Sequence, residues 1–163
     1  MTPRERVVSR ASRWVALALA AAVVCSAAGV ALAQSTAAVV TSRDGQLGPM
    51  LTGRNGHTLY LFHQDWAGKS YCYGSCTATW APDITNGRPT IPAGSTLNSK
   101  LLGTIRRKNG SLQVTFNGHP LYFYSGDTKV GTTAGEGRFQ FSGYWYAVGT
   151  NGKALKPFNP GQY

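Results

Sequence analysis

Two histidines recur at matching places in this sequence and are the side chains most suited to metal chemistry. His57 and His119 each directly follow an Asn-Gly pair. Imidazole nitrogens bind zinc and copper, so two histidines that meet near a symmetry axis would form a metal site, with His63 as a third candidate ligand. The alternative, which we favour, is that each histidine only flanks a turn, because no carboxylate cluster or Cys-His spacing accompanies either one.

Asp65 and Asp127 end the same motif in its two copies. As a pair of carboxylates they could act on a substrate or hold a cation. The structural alternative is that each carboxylate caps the turn that follows it, accepting from backbone amides within residues 66–68 and 128–131. A repeated pattern of one Tyr, one aromatic residue and one Asp is what a fold would impose on both copies, so we expect the structural role.

Cys72 and Cys76 form the sequence Cys-Tyr-Gly-Ser-Cys just after the first motif. In an exported protein a disulfide is the default for such a pair, and Gly74 lets the short loop turn back on itself. A redox or thiolate copper site is the alternative. The spacing argues against it, because it is not the Cys-x-x-Cys of oxidoreductases, and no haem attachment motif occurs.

The histidines and aspartates belong to a duplicated segment. Residues 55–65 and 117–127 match without a gap at a constant offset of 62, in the pattern Asn-Gly-His-x-Leu-Tyr-x-[Phe/Tyr]-x-x-Asp. Neither copy alone could bury its apolar face, so we expect the two copies to share one core around a pseudo-twofold axis. The motif residues are Tyr60, Phe62, Asp65, Tyr122, Tyr124 and Asp127.

Asn-Gly pairs begin at positions 55, 86, 109, 117 and 151 and predict the turns that position the motif. An Asn-Gly pair between strand-like runs predicts a hairpin with a type I′ turn, which needs positive φ at both central residues. All the pairs except Asn86-Gly87 have such runs on both sides. The runs are rich in Tyr, Phe, Trp, Val and Thr, and no helical apolar period is sustained. One short helical turn is expected within residues 96–102.

The motif strands carry large apolar groups on both faces. Strand alternation places Tyr60 and Phe62 on one face and Leu59 and Leu61 on the other, and the second copy repeats this arrangement. Strands of this kind are covered on both sides. We therefore predict an all-β fold in which two tandem hairpin-based repeats form one small antiparallel sandwich or barrel-like domain. The domain is expected to span 47–163, with repeats of about 47–100 and 101–163, after a flexible lead-in at 34–46.

The first 33 residues have the pattern of a secretory signal peptide. Four arginines precede an apolar run that starts at Trp14 and ends in the small-x-small sequence Ala31-Leu32-Ala33. Cleavage is expected after Ala33 and would leave no transmembrane segment. The alternative is an uncleaved membrane anchor, since the run from Trp14 to Ala33 is just long enough to span a bilayer.

The mature chain is basic. Removing the four arginines and one glutamate of the leader from a formal charge of +10 leaves +7. Such a surface attracts anionic polymers or headgroups, although net charge also serves solubility alone. The basic triplet Arg106-Arg107-Lys108 adjoins Asn109-Gly110, so we expect it to lie on an exposed turn. No basic helix or nucleic-acid motif occurs, which argues against a nucleic-acid partner.

The two motif copies resemble a bacterial secreted-repeat, or predicted lipoprotein, family defined by Tyr-x-[Phe/Trp/Tyr]-x-x-Asp. The resemblance covers about residues 45–150 and includes the cysteine pair, Trp80-Ala81-Pro82, Gln113-Val114-Thr115 and Trp145-Tyr146. It implies an envelope protein of unknown function and supplies no catalytic residues. Many members look lipid-anchored. Anchoring at Cys25 is not expected here, because Ala22 and Val24 stand where a lipobox has Leu and Gly or Ala.

The sequence therefore predicts an exported cell-envelope protein that is non-enzymatic and acts as a binding or structural module. No Ser-His-Asp elbow, phosphate loop or zinc-protease motif is present. One alternative is a metal- or redox-linked periplasmic protein that uses the paired histidines, with copper or zinc, or the cysteines. Another is a module that binds a cell-wall polymer or sugar through its basic surface and aromatic side chains. The expected partners are an anionic cell-wall polymer or an envelope protein.

Overall fold

A computed structural model of the protein describes residues 40–45, 47–66 and 68–155, which lie in a compact unit of residues 33–163. The predicted signal peptide and its alternatives fall outside these residues. The described part is almost entirely antiparallel β-structure, which confirms the predicted fold class. No helix in these ranges is long and apolar enough to cross a membrane.

The described residues form eleven short strands, one short helix and one 3-10 turn. The helix is α1 (Cys76–Thr79), and the 3-10 turn at Ser99–Leu101 confirms the expected helical turn. The strands are β1 (Val40–Gly45), β2 (Gly48–Gly53), β3 (Tyr60–Phe62), β4 (Trp80–Pro82), β5 (Ile84–Thr85), β6 (Leu102–Arg106), β7 (Leu112–Phe116), β8 (His119–Pro120), β9 (Tyr122–Tyr124), β10 (Arg138–Gln140) and β11 (Gly143–Ala147).

The two motif strands lie side by side in the middle of a five-stranded sheet, whose order is β10-β11-β3-β9-β4. β3 and β9 run antiparallel, with Tyr60 directly opposite Tyr122. Because equivalent residues of the two repeats face each other across antiparallel strands, a local pseudo-twofold axis passes between them. β1 pairs with β2 in a separate sheet, and β7 pairs with β5, β6 and β8 in a third.

The neighbours of the motif strands follow the same axis. Trp145 on β11 lies opposite Phe62 on β3, and Trp80 on β4 lies opposite Tyr124 on β9. Phe62 and Tyr124 are equivalent motif residues, so the two tryptophans are counterparts as well. Their rings stack at a centroid distance of 4.0 Å. The five-stranded sheet is therefore built from both repeats and belongs to neither alone.

Both faces of the motif strands are covered, as the alternation predicted. Tyr60, Phe62 and Tyr122 pack in one buried cluster around Trp80 and Trp145. The opposite side chains enter a second cluster, which contains Leu59, Leu61, Leu121, Val114, Phe116 and Val148. Burying about 150–250 Å² for each aromatic side chain is a large hydrophobic contribution for a domain of this size.

The Asn-Gly pairs form hairpin turns, but most are not the predicted type. Asn117 and Gly118 both have positive φ, at 51° and 78°, as a type I′ turn requires. In the loops 54–56, 108–110 and 150–152, only the glycine has positive φ, and its amide bonds to the carbonyl three residues earlier at 2.8–2.9 Å. These are three-residue loops with a type I turn and a left-handed glycine. The type I′ prediction is therefore wrong for three of the four hairpins.

The expected flexible lead-in is wrong for residues 40–45, which form β1 and pair in register with β2. Val40 is fully buried in the second cluster. The sequence of β1 is polar and has little alternation, and Val40 is the buried one among its side chains whose burial is described.

Candidate functional site

Two tyrosine–aspartate hydrogen bonds join the repeats crosswise. The Tyr60 hydroxyl donates to Asp127 Oδ2 at 2.7 Å, and the Tyr122 hydroxyl donates to Asp65 Oδ2 at 2.7 Å. All four side chains are buried. We call these two bonds the clasp. The tyrosine of each motif binds the aspartate of the other copy, so the motif is complete only when both copies are present.

Burial of the clasp keeps both tyrosine hydroxyls protonated, so that each can donate its hydrogen bond. Burial raises the pKa of both Tyr60 and Tyr122, so both hydroxyls remain protonated near neutral pH. Burial also raises the pKa of Asp65 to about 6, against the opposing effects of hydrogen bonds from Tyr122 and the Tyr71 amide and of the positive charge of Arg107.

Each clasp aspartate also closes the loop that follows it. Asp65 Oδ1 accepts from the Tyr71 amide at 2.8 Å, and Asp127 Oδ1 accepts from the Ala134 amide at 2.8 Å. The expectation that these carboxylates have a structural role agrees with this geometry. The amides they bind, however, lie six and seven residues along the chain, beyond the adjacent turns proposed from the sequence.

The two halves of the clasp differ in what else binds the tyrosine oxygen. The Tyr60 hydroxyl accepts from the backbone amide of Gly135 at 3.3 Å. An added Cβ on Gly135 would lie 2.9 Å from the Tyr60 ring, so only glycine permits this approach. The Tyr122 hydroxyl instead shares a hydrogen bond with the Ser70 side chain at 2.8 Å. This half therefore continues into a network of side chains.

Arg107 is the centre of that network. Its guanidinium donates to Ser70 Oγ at 2.9 Å, to Gln113 Oε1 at 2.5 Å and to the Cys72 carbonyl at 2.6 Å. Gln113 in turn donates to the Leu121 carbonyl at 2.8 Å. None of these partners is a carboxylate. Arg107 is thus a buried cation whose hydrogen bonds go to neutral groups, while its positive charge also acts on the nearby clasp carboxylate of Asp65.

The expected exposed position of the basic triplet is wrong for Arg107, which is only 4% exposed. The reason is strand alternation, which continues past the end of β6. Ile105 is half-buried, Arg106 is exposed, and Arg107 turns inward again. Arg106 and Lys108 on either side are exposed as expected.

A pocket of about 570 Å³ opens where the loop after Asp65 meets the hairpin between β6 and β7. Four cationic side chains line it: Lys69, Arg106, Arg107 and Lys108. Ser70, Tyr71 and Tyr73 complete the lining, and no carboxylate of the described residues is part of it. We call this the basic pocket. Its volume lies within the range of about 300–1,000 Å³ that is typical of small-ligand sites.

Tyr73 orders two of the cations in the basic pocket. The Arg107 guanidinium lies 4.4 Å from the centre of the Tyr73 ring, and the Lys108 ammonium lies 5.0 Å from it. The Tyr73 hydroxyl also accepts from the Lys108 amide at 3.2 Å. Stacking of cations on the electron-rich ring face positions both charges at low entropic cost when a ligand binds.

The predicted disulfide is confirmed, since Cys72 and Cys76 are bonded with their Cα atoms 5.3 Å apart. The bridge closes a short loop that contains Tyr73 and Gly74, whose φ of 59° is left-handed. Because the Cys72 carbonyl accepts from Arg107, the same loop also holds the buried cation in place.

The structure places the three histidines in or beside turns. His57 follows the loop 54–56 and His119 starts β8, and both are half-buried, while His63 is exposed in the turn after β3. Burial lowers the pKa of His119. Within the described residues, no group of three or more His, Cys, Asp and Glu side chains could hold a metal ion. A copper or zinc site built on His57 and His119 alone stays a prediction.

Sequence reasoning did not find Ser70, Tyr73, Arg107 or Gln113 as site residues. Gln113 carried one usable signal, since it is a polar residue within a strand-like run and proves fully buried. The inward register of Arg107 was the other signal. Neither signal could identify the partners of Arg107, because Cys72 lies 35 residues before it and Ser70 lies 37 residues before it.

Fold and clasp together define an all-β protein made of two tandem repeats, in which the tyrosine of each motif bonds to the aspartate of the other across a pseudo-twofold axis. The chain belongs to the family described as a secreted repeat of unknown function, whose model matches residues 40–82 and 103–149. The first match runs from β1 to β4 and the second from β6 to β11, with each match containing one motif. No curated protein and no solved structure matches the chain significantly.

Proposed function

We propose that the protein is an exported, non-enzymatic module of the cell envelope that binds an anionic polymer through the basic pocket. The observation that carries this proposal is the convergence of Lys69, Arg106, Arg107 and Lys108 on one pocket without a carboxylate in its described lining. The family description as secreted supports an address outside the cytoplasm. The wall and surface polymers of that compartment supply the anionic groups.

Physical reasons favour binding at this pocket over a diffuse attraction to the whole basic surface. Two of the four cations, Arg107 and Lys108, are held by the Tyr73 ring, and Arg107 also by the Cys72 carbonyl, so these two lose little side-chain freedom on binding. A guanidinium that is buried among neutral partners gains more from an anion than an exposed one does, because water screens it less.

Co-sedimentation with isolated cell wall tests the proposal. The test variant is Lys69→Ala/Lys108→Ala, in which both substituted side chains are exposed and line the pocket. The matched control is Lys129→Ala/Lys153→Ala, which removes the same charge from exposed positions outside the pocket. We expect the pocket variant to bind about tenfold more weakly than the control, as two lost charge contacts imply.

A salt series adds a second readout. Binding of the wild-type protein should weaken steeply between low and high ionic strength, because the Debye length falls from about 30 Å at 0.01 M to about 3 Å at 1 M. Equal losses in the pocket variant and the control would show a non-specific charge effect and contradict the proposal, as would absence of wild-type binding at low salt.

Export is tested separately by the intact mass of secreted protein. A mass that starts at Gln34 supports cleavage after Ala33, whereas a diacylglycerol adduct at Cys25 contradicts it.

A further inference from the structure

The loop that follows Asp65 has an inner and an outer set of side chains. Asp65 and Ser70 point inward and belong to the clasp network. Trp66, Lys69 and Tyr71 are exposed on the outside, Trp66 by 77% and Tyr71 by 57%. Aromatic side chains this exposed do not fill a core, so both rings are available to a ligand.

Hydrogen bonds hold the backbone at Trp66, Lys69 and Tyr71, whose side chains stay exposed. Asp65 Oδ1 holds the Tyr71 amide, and the Lys69 amide donates to the Trp66 carbonyl at 3.0 Å. Trp66 and Lys69 also form an isolated antiparallel bridge. The bridge makes Trp66 the backbone neighbour of Lys69, and Lys69 and Tyr71 of this loop line the basic pocket.

The corresponding loop of the second repeat has no such aromatic surface. Between Asp127 and its closing residue, the exposed side chains are Thr128, Lys129, Val130 and Ala134, none of them aromatic. The clasp bond and the loop-closing amide are nevertheless present in both copies. The repeated clasp therefore does not require the exposed rings of Trp66 and Tyr71, and of these two Tyr71 lines the basic pocket.

We infer that the ligand of the basic pocket is an anionic sugar polymer, in which each charged group is carried by a pyranose-type ring. This inference rests on the proposed function and names its ligand class. Tyr71 in the pocket lining and the exposed Trp66, the bridge partner of Lys69, form a ring subsite, and Lys69, Arg106 and Lys108 form a charge subsite within the pocket.

Sugar chemistry fits both subsites at once. One face of a pyranose ring presents C–H groups, which pack on the flat face of an indole or phenol ring. A carboxylate or phosphate on the same ring then lies within reach of the cations, which offer hydrogen-bond donors and no acceptors. A neutral sugar would leave the cations without a counter-charge, and a polyanion without rings would leave the aromatic surface in water.

Binding to three probes tests the inference with the full mature chain. The probes are polygalacturonate (an anionic sugar polymer), long-chain polyphosphate (anionic without rings) and dextran (rings without charge), measured by calorimetry at one ionic strength. Trp66→Ala and Tyr71→Ala are the ring-subsite variants, and Phe139→Ala, 62% exposed on β10, is the aromatic control. Lys69→Ala/Lys108→Ala reports on the charge subsite.

We expect wild-type protein to bind polygalacturonate most tightly and dextran not at all. Each ring-subsite variant should bind polygalacturonate about fivefold more weakly and polyphosphate unchanged, while the control changes neither. The lysine variant should weaken both anionic probes.

Three outcomes would overturn the inference. Equal affinity for both anionic probes, with no effect of the ring-subsite variants, would contradict a sugar ligand and leave the proposed function intact. Binding of dextran as tight as that of polygalacturonate contradicts the need for charge. If neither anionic probe bound, both the inference and the proposed function would be contradicted.

Discussion

The hydroxyl of Tyr60 lies 2.7 Å from Oδ2 of Asp127, across 67 residues of chain, and its counterpart Tyr122 makes the same bond to Asp65. The motif strands β3 and β9 place the two tyrosines opposite each other. Each tyrosine then reaches past the axis to the loop of the other repeat. A side-chain exchange of this kind explains why the motif occurs in pairs, since a single copy would leave a buried carboxylate and a buried hydroxyl without each other.

Removal of either clasp hydroxyl should destabilise the protein. We expect Tyr60→Phe and Tyr122→Phe each to lower the free energy of unfolding by about 1–3 kcal/mol, because a buried carboxylate loses a donor. Chemical denaturation measures the change. Tyr71→Phe is the matched control, since its ring is exposed, and it should change stability by less than about 0.5 kcal/mol. Clasp variants as stable as the control would contradict the structural role of the motif.

The sequence was sufficient to predict the two-faced central strands, because alternation in 59–62 and 121–124 is a local signal that strand geometry forces on the chain. It could not predict the exchange of Tyr60 and Tyr122 between the aspartates. Which aspartate each tyrosine binds depends on the register of β3 against β9. The bonded residues are 67 positions apart along the chain for Tyr60 and 57 for Tyr122. The exposed position of Arg107 was predicted wrongly for a related reason. The Asn-Gly turn next to it can be recognised in the sequence, but its hydrogen-bond partners are distant along the chain and cannot be.

Arg107 should be essential for the stability of the pocket side of the fold. Arg107→Met would leave Gln113 Oε1 and the Cys72 carbonyl without this donor, at an expected cost of about 2–4 kcal/mol. Arg107→Lys should also destabilise, because an ammonium cannot reproduce a planar fork that donates in three directions.

Thermal and urea unfolding of both Arg107 variants provide the measurement. Arg106→Lys and Arg106→Met are suitable controls, because Arg106 is the exposed neighbour and donates only to the Gly110 carbonyl at 2.8 Å among the described residues. If Arg107→Lys were as stable as wild type, the forked network would not matter to folding.

The turn at the tip of the β10–β11 hairpin offers a stabilising change. Phe141 and Ser142 form it, with φ of 55° and 64°, a left-handed conformation that L-residues other than Asn, Asp and Gly adopt at a cost. The same chain uses Asn117-Gly118 for the comparable turn after β7. We expect Phe141→Asn/Ser142→Gly to raise the free energy of unfolding by about 1 kcal/mol.

The reciprocal exchange supplies the control for this turn. Asn117→Phe/Gly118→Ser should lower stability by at least as much, since it introduces the strain that the first change removes. Urea midpoints of both variants would test the pair. A loss of stability in Phe141→Asn/Ser142→Gly would mean that Phe141 contributes packing that outweighs its backbone strain.

Asp83 connects β4 to β5 and occupies a position that is apolar in the other half of the domain. Its amide donates to the Leu121 carbonyl and its carbonyl accepts from the Val114 amide, each at 2.9 Å. Val148 makes the equivalent bonds, donating to the Leu59 carbonyl and accepting from the Leu51 amide. Val148 is fully buried and Asp83 is 6% exposed, yet Asp83 Oδ2 has no hydrogen-bond partner among the described residues.

Burial raises the pKa of Asp83 from 3.8 to about 7, so the folded protein binds this proton more tightly than the unfolded chain does. Between pH 4 and pH 7 the folded state therefore holds more protons, and the free energy of unfolding falls as the pH rises, by at most about 1.4 kcal/mol per pH unit for this group. The raised pKa of Asp65, about 6, adds to the same trend.

Asp83→Asn and Asp83→Val should both flatten this pH dependence and raise stability at pH 7.5, and the valine should do so most because it restores the side chain found at Val148. Urea unfolding from pH 4 to pH 8 provides the curves, with the residual slope in both variants assigned to Asp65 and other groups. Wild-type protein at each pH is the reference. Parallel curves for wild type and Asp83→Asn would show that Asp83 does not titrate between these pH values. If Asp83→Val were less stable than wild type at pH 7.5, the Asp83 carboxylate would have a role that Val148 lacks.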